Sequence, residues 1–310
     1  MGGLYGINIG KTEIKQKIEG FGIMKISELF NNNKKALSFE IFPPKGSDPV
    51  IAVQDTLEKL KELNPAFISV TYGAGGSEGN DATFKIASLT KNHYGIESVA
   101  HLTGINLTKK DVLNILNNLK DFGIENILAL RGDADSISPQ NEFKNASDLI
   151  SFIKENGDFN IMGACYPEGH FESPTIIEDI RNLKYKVEAG ASQLITQFFF
   201  DNNTFYTFRE RAAIAGINIP IIAGIMPVVD KEQIENMVAL CGVKLTKKFS
   251  TILEKYEDKP EALQEAGIAY AVDQIVDLIA HEVDGIHLFT MNNPHITARI
   301  CKAINNLLIA

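Results

Sequence analysis

Residues 37–45 read Leu-Ser-Phe-Glu-Ile-Phe-Pro-Pro-Lys. Strand side chains alternate with period two, so Leu37, Phe39 and Ile41 share one face and Ser38, Glu40 and Phe42 the other. The first face is apolar enough to pack under a helix. The second carries a carboxylate in mid-strand, and Pro43 and Pro44 end the ladder because neither has an N–H to donate. A carboxylate in such a place needs a partner or a proton. It is either a buried Glu held by Arg or Lys, or an acid/base group. The later strands weigh on that choice, because they deliver polar residues to equivalent positions.

The 310 residues are 45% hydrophobic and 22% charged, enough for one large domain or two small ones. A formal net charge of −9 without a long Lys/Arg run argues against a nucleic-acid or membrane surface. Cys165, Cys241 and Cys301 lie far apart, which points to a reducing, cytoplasmic setting and gives neither a disulfide framework nor a zinc motif. The longest apolar run, Ile217–Val229, is too short for a bilayer and contains Pro220 and Pro227. Residues 1–36 lack the apolar stretch of a secretory signal and read as an N-terminal extension with a short helix near Lys25–Asn31.

Downstream of the first strand, helical spacing over Pro49–Leu63 is followed by a strand at Phe67–Thr71 and a glycine loop at Tyr72–Gly79. Helices are then predicted at Asp81–Tyr94, Leu107–Phe122, Ala146–Asn156, Ser173–Ala189 and Asn203–Ala215. Strands alternate with them at Glu97–Leu102, Asn126–Leu130, Phe159–Tyr166, Gln193–Phe200 and Pro220–Met226. A long helical region over Lys231–Ala280, interrupted near Gly242 and Pro260, precedes a last strand at Asp284–Thr290 and a closing helix at His295–Leu308. Alternating strands and helices of this kind are parallel βα units. Eight of them, without a G-x-G-x-x-G turn after the first strand, favour a single closed (β/α)8 TIM barrel over residues 37–310, rather than an open doubly wound sheet. In that α/β fold, chemistry sits at the carboxyl ends of the strands.

Those ends carry Glu40, Thr71, His101, Arg131 with Asp133, Tyr166 with His170, Gln197, and His287 with Asn292. Each has an ordinary structural explanation when taken alone. Polar residues at strand end after strand end point instead to one shared mouth. No Ser/His/Asp or Cys/His order stands out for nucleophilic catalysis, and His281, His287 and His295 are spaced for neither a helix-face metal pair nor HExxH. Gln197 stands where a Schiff-base aldolase would carry Lys. Acid/base capacity, hydrogen-bonding groups and aromatic walls suit an organic cofactor and a planar heteroaromatic substrate.

The segments SFEIFPPK, SVTYGAGG, AHLT, LALRGD, CYPEGH, ITQFFFD, GIMPV and GIHLFTMN occur in this order. From Ile26 to the C-terminus the chain resembles the methylenetetrahydrofolate reductase family of one-carbon metabolism and methionine biosynthesis. The resemblance implies a flavoprotein barrel that reduces 5,10-methylenetetrahydrofolate to 5-methyltetrahydrofolate by ping-pong transfer from NADH or NADPH through FAD. It implies Glu40 as the general acid that protonates the folate as its five-membered ring opens. Asp133 would stabilise the iminium cation and tune the flavin. Gln197 would hold the pterin edge, with His287 and Asn292 also on the substrate side. Thr71, His101, Arg131, Gly132, Asp133, Tyr166, His170, Asp179, Asn182 and Lys186 fall at flavin-contacting positions, with Arg131 and Lys186 offsetting phosphate charge. A homo-oligomer is expected.

Three positions depart from the family pattern. Val229-Asp230-Lys231 lacks an aromatic that some relatives use to sandwich nicotinamide or folate, which raises a partner subunit or ferredoxin as the alternative electron donor. Asn292-Asn293 replaces Asn-Arg and leaves the folate glutamate tail unassigned. Tyr185 replaces an Arg in the flavin-binding helix, making FMN an alternative to FAD. A folate-binding methyltransferase module without flavin is the non-redox alternative. The resemblance covers a catalytic barrel alone, so control by S-adenosylmethionine is not expected.

Overall fold

The computed structural model describes residues 25–32, 35–46, 48–72, 77–132 and 141–308. Eight parallel strands close into one barrel in sequence order. They are β1 (Ala36–Ile41), β2 (Phe67–Val70), β3 (Ser98–Thr103), β4 (Asn126–Leu130), β5 (Asn160–Cys165), β6 (Gln193–Thr196), β7 (Ile221–Ile225) and β8 (Gly285–Phe289). The seam pairs β1 with β8, placing Ser38 opposite His287 and Glu40 opposite Phe289. On its other side Glu40 lies opposite Ser69 of β2. The alternation read in the first strand therefore holds. Phe39 and Ile41 are fully buried in the core between barrel and helices, and Ser38 and Glu40 turn inward.

The helices are α1 (Pro49–Ala52), α2 (Gln54–Lys61), α3 (Ser77–Asn92), α4 (Lys109–Asp121), α5 (Ala146–Asn156), α6 (Ile176–Glu188), α7 (Asn202–Ile214), α8 (Lys231–Cys241), α9 (Lys247–Tyr256), α10 (Pro260–Ala280) and α11 (Pro294–Leu308). Their starts follow local chemistry. Thr108 and Asp111 form a reciprocal capping box on α4. Asp201 caps α7, Asp230 caps α8 and Thr246 caps α9. Gly242 ends α8 in the left-handed conformation that glycine adopts without strain.

Several boundaries differ from the sequence reading. The helix expected at Pro49–Leu63 is broken at Val53, because Asp48 caps a one-turn segment ahead of the main helix. The helix expected to open at Ser173-Pro174 starts at Ile176, since the Thr175 hydroxyl accepts from Glu178 N. The strand expected through Phe200 stops at Thr196. Beyond it the chain is held by α10 instead: Gln274 Nε2 donates to Phe199 O at 2.8 Å and Tyr270 OH to Phe200 O at 2.7 Å. Of the glycine loop expected at Tyr72–Gly79, residues 73–76 lie outside the described residues, while Ser77–Gly79 open α3, four residues ahead of the helix start expected at Asp81.

The bottom of the barrel is closed by the 3-10 helix Ile26–Asn32, the described part of the N-terminal extension. Ile26 is fully buried against Phe67, Val99, Leu128, Met162, Ile195 and Ile222, which fill the lower interior. Its N–H donates to Asn126 Oδ1 at 2.9 Å. Asn126 in turn donates to Glu97, whose carboxylate also meets the buried Lys91 ammonium at 3.0 Å. At the far end, the side beyond β6 and β7 is roofed by α8, α9 and α10, where Phe198, Phe200, Met226, Val228, Phe249 and Leu263 form a separate apolar cluster.

The floor and the roof each yield a stability test. Ile26→Ala should cost about 2–4 kcal/mol, read as a lower urea midpoint with unchanged slope, because it empties a fully buried site. Gly267→Ala should also destabilise, by roughly 1–3 kcal/mol, despite the helix propensity of Ala. A Cβ at position 267 of α10 would lie 1.6 Å from the Val228 carbonyl oxygen, and backbone cannot step aside as a side-chain tip can.

Candidate active site

At the carboxyl ends of β2 to β5 the barrel opens into a cavity of about 610 Å³. Its wall includes Thr71, His101, Arg131, Gly132, Tyr166, His170, Asp179, Asn182 and Lys186. These are the residues that the sequence places at cofactor-contacting positions, apart from Asp133, which lies outside the described residues. The last three come from one helix, α6, at spacings of three and four residues, so they stack on one face. Gly132 has φ +94°, and a Cβ there would lie 2.5 Å from Ile105 Cγ2, so glycine alone fits this turn.

Charge on the wall is arranged unevenly. The Arg131 guanidinium forms a two-pronged ion pair with Glu172, with Nη2–Oε1 at 2.8 Å, and its Nε donates to Gly132 O. Lys186 donates to Ala164 O at 2.8 Å and lies 5.7 Å from the Tyr166 ring centroid, and among the described residues it has no carboxylate partner within salt-bridge distance. Burial pushes the Lys186 ammonium below its usual range, opposed by Cys165 and Asp179. An ammonium held by one carbonyl keeps two further donors for an anion. Asp179 is occupied by Ser173 Oγ at 2.9 Å.

One wall is aromatic. Tyr166 and His170 meet edge to face at 4.6 Å, and His170 stacks on Phe171 at 4.7 Å. Glu172 N donates to His170 Nδ1, so the neutral ring carries its proton on Nε2. Burial lowers the pKa of His170, in keeping with a neutral ring. Tyr185, half exposed, also lines the cavity.

Glu40 adjoins this cavity through His101. Glu40 Oε2 lies 3.5 Å from His101 Nε2 and 3.7 Å from His287 Nε2, and its side chain is 18% exposed. Its ionic neighbours among the described residues are thus imidazoles, not the Arg or Lys of a simple buried pair. His101 is brought down to about 4 by burial, which outweighs the pull of Glu40, so its ring is neutral near pH 7. The backbone beneath the carboxylate is fixed by Thr290, whose hydroxyl donates to Glu40 O at 2.6 Å.

The remaining substrate-side residues divide. Gln197 stands at the end of β6 and spends its Oε1 on the Phe198 N–H at 3.0 Å. His287 is fully buried beneath Glu40, with Nδ1 at 2.7 Å from Ser38 Oγ and Nε2 at 3.2 Å from Ser69 Oγ. The structure thus places it behind the Glu40 carboxylate, in the barrel interior rather than on the cavity wall. Asn292 is also committed elsewhere: its amide bridges Phe42 N and Phe42 O at 3.1 and 2.8 Å. It clips the end of β1 to the end of β8. Reading the strand ends missed Ser38, Ser69 and Glu172. Ser38 was legible, since it shares the inward face with Glu40. Glu172 was not, because it lies beyond a turn and no strand period reaches it.

The family model described as methylenetetrahydrofolate reductase matches residues 25–305. The 5,10-methylenetetrahydrofolate reductase of Pectobacterium carotovorum is 35% identical over 86% of this chain and 89% of its own length. That of Escherichia coli is 36% identical over 86% of this chain and 90% of its own. The Arabidopsis thaliana protein named methylenetetrahydrofolate reductase (NADH) 1 is 34% identical, with 48% of its length covered. Among solved structures, a Clostridium thermocellum protein described as binding two copies of 5-methyl-5,6,7,8-tetrahydrofolic acid shares the fold, with TM-score 0.58 and 14% identity over 96% of this chain and all of its own. With its closed barrel, its polar strand ends and this extent of matching sequence, the chain belongs to the methylenetetrahydrofolate reductase family.

Proposed function

We propose that this protein reduces 5,10-methylenetetrahydrofolate to 5-methyltetrahydrofolate, with reducing equivalents drawn from NADH or NADPH through a flavin held in the 610 Å³ cavity. The observation that carries the reading is convergence: residues from four strand ends and from α6 line one cavity that adjoins the Glu40 carboxylate. Relatives named for this reduction, and a barrel of the same fold described as binding a methylated folate, support a folate as substrate.

The residues present fit a flavin. Lys186 holds donors for a phosphate, and the α6 face with Asp179 and Asn182 offers polar groups for a ribityl chain or ribose. The pinned Arg131–Glu172 pair and the Tyr166–His170 wall bound the space without needing to move. FAD is the proposed form; Tyr185, a half-exposed ring where an Arg is expected, keeps FMN as the alternative. When bound, the flavin supplies hydride transfer between nicotinamide and folate. A single pocket visited by the two in turn makes the kinetics ping-pong.

The chain's own residues handle the proton and the orientation. Glu40 gives its proton to the folate amine nitrogen as the carbon–nitrogen bond of the five-membered ring breaks, leaving the iminium on the other nitrogen. Gln197 presents an amide to the pterin edge. Asp133 joins this assignment through the family resemblance, as the charge that favours the iminium.

A second reading has the same folate chemistry fed by a partner protein. It is motivated by Val229–Lys231: Asp230 is spent capping α8, Lys231 pairs with Glu257 and Glu235, and no aromatic ring stands there for a nicotinamide.

An absorbance spectrum with cofactor extraction, followed by anaerobic titration, separates these readings. The expected protein is yellow, bleached by NADH or NADPH, and reoxidised by methylenetetrahydrofolate. Bleaching only by a reduced partner protein selects the second reading. A colourless protein that takes up neither FAD nor FMN yet binds folate overturns both, in favour of a methyltransferase-like folate module. Glu40→Gln should slow folate reduction by about 10²–10⁴-fold while flavin reduction stays within about twofold, measured as separate half-reactions by stopped flow. Equal loss in both would contradict its assignment.

A further inference from the structure

We propose that Glu168 is the positioning residue that holds the aromatic wall of the cavity in place, by tying its loop to the turn between α8 and α9. This role rests on a flavin occupying that cavity. The stretch from Tyr166 to Ser173 carries Tyr166, His170, Glu172 and Ser173 to the cavity wall. It opens with a tight turn in which Gly169 N donates to Tyr166 O at 2.9 Å, with Pro167 and Glu168 in the two middle positions. Glu168 is thus two residues from each ring of the wall. Its carboxylate reaches to the roof, where Oε1 and Oε2 accept from Lys244 N at 3.2 and 3.1 Å.

The roof end of this tie is firm. Val243, next to Lys244, is buried. Thr246 caps α9, and its hydroxyl meets Tyr270 OH of α10 at 3.0 Å. Tyr270 in turn donates to Phe200 O. The wall end is less well held. Phe171 stacks on His170 but is 66% exposed, so apolar burial does little to fix this stretch. The Glu172–Arg131 pair and the bond from Ser173 Oγ to Asp179 both lie downstream of His170. The contact from Lys244 is the one that reaches the turn between Tyr166 and His170 from the roof.

The tie works through main chain. Among the described residues Glu168 forms no ion pair, and the Lys244 backbone N–H is the donor. Burial raises the pKa of Glu168, opposed first by that N–H and then by the Lys244 charge. A hydrogen bond to an ionised acceptor is stronger than one between neutral groups. One such bond therefore suffices to brace an exposed loop against a packed roof.

The test measures flavin binding to the full chain, stripped of cofactor and titrated with FAD by fluorescence quenching. Glu168→Ala should weaken FAD binding by about tenfold or more, the scale of one charge-assisted hydrogen bond. Glu168→Gln keeps a carbonyl oxygen for the same N–H and should stay within about threefold of wild type. Lys244→Ala removes the ammonium but keeps the backbone donor, and should also stay within about threefold. A loss in either of these that matches Glu168→Ala overturns the role, because the contact would then be one of charge. If Glu168→Ala does not fold, hydrogen exchange in wild type decides. FAD should slow exchange of the Lys244 amide, since coupling between the tie and the cavity is reciprocal. An amide rate indifferent to FAD overturns the role. Wild type that takes up neither FAD nor FMN overturns the cavity reading itself; wild-type uptake beside an unweakened Glu168→Ala overturns the role of Glu168 alone.

Discussion

The hydrogen-bonded seam between the first and last strands sets everything at the mouth. Its register places Ser38 beside His287 and Glu40 beside Phe289. A slip by one residue would turn Ser38 and Glu40 out toward the helices and Phe39 and Ile41 into the barrel. The seam is secured at its open end by side chains: Thr290 holds the Glu40 carbonyl, and Asn292 grips both backbone groups of Phe42. Asn292 has φ +54°, a conformation Asn tolerates better than most residues. Asn292 thereby acts as a clasp, and the Glu40 carboxyl is aimed by backbone that has little freedom.

The interior is layered by polarity. Ile26, Phe67, Val99, Leu128, Met162, Ile195 and Ile222 fill the floor, where no chemistry is needed. Above them Ser38, Ser69 and His287 form a fully buried polar layer whose groups satisfy one another. Higher still come Glu40 and His101, and His101 Nε2 is a buried nitrogen without a hydrogen bond among the described residues. Such a group costs free energy in the resting protein. The apolar core between strands and helices offsets that cost, so incompletely satisfied groups are tolerated at the open mouth.

Cations follow the same division. Arg131 is locked to Glu172 and shapes the wall, whereas Lys186 keeps donors turned to the cavity. Two basic residues of one pocket thus differ in availability, although in sequence they look equivalent. Tyr185, where the family resemblance leads to an Arg, puts a half-exposed ring on the wall, which in the proposed flavin site leaves Lys186 as the principal phosphate partner on α6.

By itself the sequence determined the architecture, because strand and helix periods are local properties and eight βα units leave few ways to bury their apolar faces. It also determined which end of the barrel carries the polar residues. Of the nine expected cofactor positions that line the cavity, Thr71, His101, Arg131, Tyr166 and His170 were legible at strand ends, whereas Gly132, Asp179, Asn182 and Lys186 came only from the family resemblance. Tertiary structure alone decided the rest. That His287 lies beneath the Glu40 carboxyl and Asn292 binds backbone depends on pairing between segments about 250 residues apart. The end of β6 was misread because Gln274 and Tyr270, at least 70 residues away, take over its carbonyls. Hydrogen-bond partners are chosen in space after the chain has closed, and no local pattern records them.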